Sequence, residues 1–146
     1  MKYLLDTNVI SAVSPLNATR RPDFADWLDQ HSSELYLSVV TATEIRDGVA
    51  MAERRGASRK ATALREWWDL VEGVYVSRFL PFDLEVATIA GPLTDLARAR
   101  GFDPGFGDVA IAATAKMHGL TILTRNVKDF APLGIDLIDP FVTPLD

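Results

Sequence analysis

The stretch Lys2-Tyr3-Leu4-Leu5-Asp6-Thr7-Asn8 constrains this chain more than any other. An unbroken apolar run ends in an acid, and a pattern of helical type begins directly after it. A short continuous apolar run fits a strand buried on both faces, as in a parallel sheet. Asp6 then stands at the carboxyl end of that strand. Open α/β sheets bind ligands at that edge, in the crevice where strand order reverses. Asp is also a good helix N-cap, so Asp6 alone leaves a chemical and a structural role open.

The rest of the chain alternates in the same way. Residues 34–40 are rich in β-favouring types and predict a second strand. Further strands are predicted at 79–82, 120–124 and 135–138. Helical patterns cover 8–13, the segment from Pro22, the segment from about Thr41 to near Gly56, then 58–72, 84–100 and 108–118. Pro92 predicts a kink or a fresh start after Gly91, and Leu93, Leu96 and Ala97 predict one apolar side. Trp67 and Trp68 are adjacent and cannot face one direction, so one is assigned to the core and the other toward a partner. The alanine-rich run 109–115 predicts close packing on the sheet, ended by Gly119. Strands alternating with helices argue for a parallel sheet flanked by helices.

Composition removes several chemistries. With 146 residues the chain predicts one domain, 1–146, large enough for a real core. It has no cysteine, hence no disulfide framework and no thiolate metal site. The two histidines, His31 and His118, argue against a histidine-pair mechanism and against zinc. A net charge of −5 argues against loose, charge-driven binding to nucleic acid, though not against a basic rim around an acidic centre. Asp6 interrupts the first apolar run before it reaches signal-peptide length, and no run approaches a membrane span. The expectation is a soluble, cytoplasmic protein.

Acids or amides stand in four places where a strand finishes or a packed helix begins: Asp6-Thr7-Asn8, Glu44, Asp108, and Asn126 with Asp129. Each has a structural alternative. Thr41-Ala42-Thr43-Glu44 matches a capping box, Asp108 suits a helix N-terminus, and Asn126 and Asp129 suit a turn. Jointly they point elsewhere, because residues at the carboxyl ends of neighbouring strands converge. Two like charges at 4 Å repel by about 1 kcal/mol in water and about 4 at a semi-buried site. A fold that gathers several carboxylates therefore calls for a cation, and hard oxygen donors select Mg²⁺ or Mn²⁺.

Four segments carry a family resemblance: Leu-Leu-Asp6-Thr7-Asn8-Val-Ile-Ser, Thr-Glu44-Ile-Arg46-Asp-Gly48-Val, Gly-Asp108-Val-Ala-Ile-Ala-Ala-Thr-Ala, and Thr124-Arg125-Asn126-Val127-Lys128-Asp129-Phe130. In this order they resemble the successive motifs of PIN-domain ribonucleases, in particular the VapC-like toxins of bacterial type II toxin–antitoxin modules and their FitB-like branch. The resemblance implies a three-layer α/β sandwich, a central parallel sheet of four to five strands with helices on both faces. It implies metal-dependent RNA cleavage, a homodimer, and inhibition by a cognate antitoxin, with transfer RNA as a substrate class. Asp6, Glu44 and Asp108 match the family's acidic residues and imply the metal ligands for one or two ions. Many members carry Asp where this chain has Asn126, and Asp129 is assigned a supporting or water-mediated role. Thr7, Asn8 and Thr124 resemble the polar residues that hold the cluster in place.

Arg46, Arg125 and Lys128 lie near these motifs and are candidates for phosphate contacts. Arg20 and Arg21 precede Pro22 in a loop near the first motif, and Arg54, Arg55, Arg59 and Lys60 read as a solvated helix junction. Three rivals compete. A haloacid-dehalogenase-type phosphatase needs a second Asp where Asn8 stands, and a receiver domain needs a lysine after a late strand. An inactive PIN-like module would bind RNA or protein without cutting.

Overall fold

The computed structural model describes residues 1–145. Among these, the strands are β1 (Tyr3–Leu5), β2 (Leu35–Ser38), β3 (Phe79–Leu80), β4 (Thr121–Leu123) and β5 (Leu137–Ile138). The helices are α1 (Thr7–Ser11), α2 (Pro22–Gln30), α3 (Val39–Arg54), α4 (Ser58–Val74), α5 (Leu84–Ala99), α6 (Phe106–His118) and α7 (Val127–Phe130). The strands form one sheet in the order β3-β2-β1-β4-β5, and every pair is parallel. Tyr3 sits beside Leu35 on one flank and Thr121 on the other, and Leu5 beside Leu123. Strand order therefore reverses at β1, and the carboxyl ends of β1 and β4 form the crevice predicted to hold the chemistry.

Side chains alternate across a strand, so β1 serves both layers. Tyr3 and Leu5 join the cluster that holds Val9, Phe24, Leu28, Ile45, Trp68 and Tyr75. Leu4 joins the opposite cluster with Val86, Leu93, Ile111, Ile122 and Phe130. Both faces of the sheet are covered, which is why its strands read as continuous apolar runs rather than alternating ones.

In α6 every residue from Val109 to Ala115 is buried. Small side chains there let the helix lie close against the sheet. The helix stops at Gly119, which adopts φ 64°, a left-handed conformation that suits glycine. Three surface ion pairs, Arg46–Asp69, Arg46–Glu72 and Arg65–Glu53, stitch α3 to α4. Trp68 is fully buried and donates its indole N–H to Glu72 at 2.6 Å. Trp67 is partly buried and lines a groove between α2 and α4.

Three local expectations are corrected. α5 runs unbroken through Pro92, with no fresh start after Gly91. Pro92 lies on the exposed side, where water can satisfy the carbonyl it leaves unpaired. Leu96 is 38% exposed and does not share the apolar side of Leu93 and Ala97. Finally, β2 ends at Ser38, and α3 begins at Val39 rather than Thr41. The Ser38 hydroxyl accepts from the Val40 N–H at 3.0 Å and is the true N-cap.

Candidate active site

The start of α3 decides how Glu44 is read. With Ser38 as N-cap, Thr41 is not a cap, and Glu44 does not close a capping box. It lies further along α3 and reaches across to β1's end instead. The Thr7 hydroxyl donates to Glu44 Oε1 at 2.7 Å and lies 3.1 Å from the Thr41 hydroxyl. Thr41 is fully buried. The sequence reading used Thr41 only as a cap, and its place beneath Thr7 has no sequence signal of its own.

Asp6 is 5% exposed and performs both roles open to it. Its backbone N–H donates to the Leu123 carbonyl at 2.9 Å, extending the β1–β4 ladder by one bond. Its Oδ1 accepts the Thr7 N–H at 2.8 Å, capping α1. Its Oδ2 accepts the hydroxyl of the fully buried Thr124 at 2.7 Å. The carboxylate is thus fixed in orientation by the ends of two adjacent strands. Asn8 Oδ1 accepts the Arg125 N–H at 3.2 Å, while its Nδ2 is buried with no hydrogen-bond partner among the described residues. An unmet buried donor costs about 1–3 kcal/mol, and it offers a contact to an incoming oxygen.

Asp108 stands in the first turn of α6. Gly107 brings that turn against α3, since a Cβ there would lie 3.7 Å from Glu44 Oε2. Asp108 and Asp129 line one open cleft of about 290 Å³ together with Lys128, Phe102 and Pro104. Asn126 precedes α7, and its N–H donates to the Thr124 hydroxyl at 3.0 Å. Asp129, not Asn126, is the acid that shares this cleft.

Electrostatics tie the four acids into one group. Burial, followed by the charges of Asp6, Asp129 and Glu44, pushes the Asp108 carboxyl up to about 6. Burial also raises Asp6; the bonds from Thr124 and Thr7 oppose that rise, and Glu44 and Asp129 add to it. Carboxyls raised by neighbouring negative charge, as Asp6 and Asp108 are, lack a counter-charge. Among the described residues no three acidic or imidazole groups close into a ready-made metal cage. Asp108 and Asp129 share the cleft, and Thr7 joins Asp6 to Glu44 beside it; as hard-oxygen donors these acids suit Mg²⁺ or Mn²⁺.

The basic residues divide. Arg46 is committed to Asp69 at 2.9 Å and Glu72 at 3.0 Å, which corrects the expectation that it contacts phosphate. Its partners lie one helix away, beyond what sequence spacing shows. Arg20 donates through Nε to the Val13 carbonyl at 3.0 Å. Lys128 stands in the acidic cleft. Arg125 pairs with no carboxylate among the described residues; its guanidinium lies 4.2 Å from the centre of the Phe141 ring.

Comparison with known proteins places the chain in a family. The family described as PIN domain matches residues 3–133. Toxin FitB of Neisseria gonorrhoeae is 36% identical over 140 residues, covering 94% of this chain and 97% of that protein. VapC ribonuclease Y4jK of Sinorhizobium fredii is 35% identical over 139 residues, covering 94% and 96%. Among solved structures, the crystal structure of FitAcB from Neisseria gonorrhoeae superposes with a TM-score of 0.83 at 34% identity. It covers 97% of this chain and 99% of that one.

Proposed function

This chain belongs to the PIN-domain family, and from that membership we propose that it is the toxin of a type II toxin–antitoxin module, a metal-dependent endoribonuclease. The observation that carries the reading is the gathering of acids at the switch point of the sheet, where burial and the charges of Asp6, Asp129 and Glu44 raise Asp108 to about 6. Its relatives support it, since one is named a toxin and another a ribonuclease. Asp6, Glu44 and Asp108 would hold one or two Mg²⁺ or Mn²⁺ ions, and Asp129 would support them. A divalent ion bound there supplies activated water and neutralises phosphate oxygens.

The protein's own groups do the rest. Thr7 and Thr124 hold Asp6 and Glu44 in fixed orientations. Fixing the groups around a metal site in this way typically matters about 10- to 100-fold. Lys128 and Arg125 attract the phosphate backbone to a rim whose centre is acidic. Asn8 Nδ2 is a free donor for a phosphate oxygen or a water. Hydrolysis by water leaves a 5′-phosphate and a 3′-hydroxyl. The substrate class is RNA, with transfer RNA the first to test. The partners are a cognate antitoxin and a second copy of this chain, and the compartment is the cytoplasm. No helix among the described residues is long and apolar enough to cross a membrane.

Incubating purified protein with RNA, with and without Mg²⁺ or Mn²⁺, tests the reading. Cleavage is expected only with metal, with 5′-phosphate ends. Asp108→Asn and Asp6→Asn should each lower it by more than about a hundredfold while circular dichroism stays native. Metal-independent cutting, or 2′,3′-cyclic phosphate as the true product, would overturn it.

A further inference from the structure

The reading above leaves an aromatic slot beside the acidic crevice without a role. Phe141, after β5, packs on Phe24 of α2 with ring centres 4.9 Å apart. Phe24 is stacked parallel to Trp27 at 6.1 Å. Between α2 and residues 140–145 lies an open cavity of about 270 Å³, lined by Arg21, Phe24, Trp27, Pro140, Phe141 and Pro144 among others. Pockets for drug-sized ligands run about 300–1,000 Å³, so this one has the size of a single flat ring system.

Two cations lie against the Phe141 ring, of which Arg21 also lines the slot. The Arg21 guanidinium lies 5.7 Å from the Phe141 ring centre and that of Arg125 lies 4.2 Å from it. Arg21 is neutralised by Asp23 at 3.0 Å; Arg125 has no such partner among the described residues. Arg125 also carries the slot to the site: its N–H is held by Asn8, and the residue before it, Thr124, holds Asp6. Cation–π stacking fixes a guanidinium while leaving its N–H edge free for phosphate.

We propose that this slot binds the base of an unpaired nucleotide next to the phosphodiester being cut, with Phe141 as the stacking ring and as the positioning residue for Arg125. The proposal rests on the ribonuclease reading and assigns the contact with the base to this slot. A base in a duplex is stacked on its neighbours and cannot enter the slot, whereas splayed bases stack on aromatic side chains.

The test uses the full chain in the Asp108→Asn background, where cutting is blocked. Fluorescence anisotropy compares a short unstructured oligoribonucleotide with an RNA duplex of equal length. Phe141→Leu keeps the apolar contact with Phe24 and removes the ring. It should weaken single-strand binding about tenfold, leave duplex binding unchanged, and be rescued by Phe141→Tyr. Arg125→Ala should reduce the slope of log affinity against log salt by about 0.7, whereas Phe141→Leu should not change it. Equal affinity of Phe141→Leu and its parent for the single strand, or equal loss on both RNAs, overturns the slot. If protein with Asp108 intact cuts RNA in that case, the ribonuclease reading survives; if it neither binds nor cuts RNA, both fall.

Discussion

The two helical layers on this sheet are built from opposite materials. On one side, α6 presents Val109 to Ala115 as a buried run of mostly small side chains, and α5 adds Val86, Ala90, Leu93 and Ala97. On the other, the cluster is built around Trp68, Phe24 and Tyr75, with Trp27, Trp67 and Phe141 packed at its margin. The small-residue layer is tightly packed along the middle of α6, with clefts at its two ends, one beside Asp108 and one beside Lys116 and Gly119. The aromatic layer stays partly open, with a groove of about 200 Å³ between α2 and α4, where Leu70 is 72% and Val74 57% exposed. Close packing sets the position of a helix terminus, and α6 needs that because its first turn carries Asp108. Bulky rings leave gaps at their margins, and such margins can receive other molecules. One layer fixes the position of Asp108, and the other leaves apolar side chains exposed at its margin.

The sharpest way to break this contrast is to truncate the aromatic layer at its centre. Trp68→Ala should cost about 3–5 kcal/mol in urea unfolding, because the residue is fully buried and Glu72 loses its indole partner. Next comes overfilling the small-residue layer. Ala112→Leu should cost about 1–3 kcal/mol and lower cleavage more than its stability loss explains, since displacing α6 displaces Asp108. If stability falls while the activity of the folded fraction is intact, α6 does not position the site.

A smaller effect is electrostatic. Asp108 is raised in the folded state, from 3.8 to about 6. The unfolded chain therefore releases that proton first as pH rises. The folded state is penalised increasingly between about pH 4 and 6, and fully above that. In EDTA, Asp108→Asn should melt higher than the parent at pH 7, with the gap closing near pH 4. Added Mg²⁺ should raise the parent's Tm more than the variant's, as ligands that bind only the folded state do. The smallest effect belongs to the open margin. Leu70→Ser should change stability by less than about 0.5 kcal/mol in urea unfolding, because the residue is 72% exposed.

Much of this was legible in the sequence because it is local. The apolar runs of β1, β2 and β4, the alanines of α6 and its Gly119 stop follow from spacing alone. The four acids were visible as a set because each lies near a strand end or helix start. What escaped was decided by distant residues. Val39 and Val40 favour strand by type, yet Ser38 caps a helix there and so frees Glu44 to meet Thr7. Arg46 looked like a site residue until α4 supplied Asp69 and Glu72. The contact of Phe141 with Phe24 links residues more than a hundred positions apart, and no periodicity announces it. Asp129, already assigned a supporting role from the sequence, shares the cleft with Asp108 because α7 turns it there.

The bond from Thr124 to Asp6 spans 118 positions. Proteins are synthesised from the amino terminus, so Asp6 and Glu44 leave the ribosome well before Asp108, Thr124 and Asp129. A truncated translation product therefore lacks the clamp on its first acid and half of the charge cluster. If the chain is the ribonuclease proposed above, the four acids can act together only once the segment through Asp129 has been made.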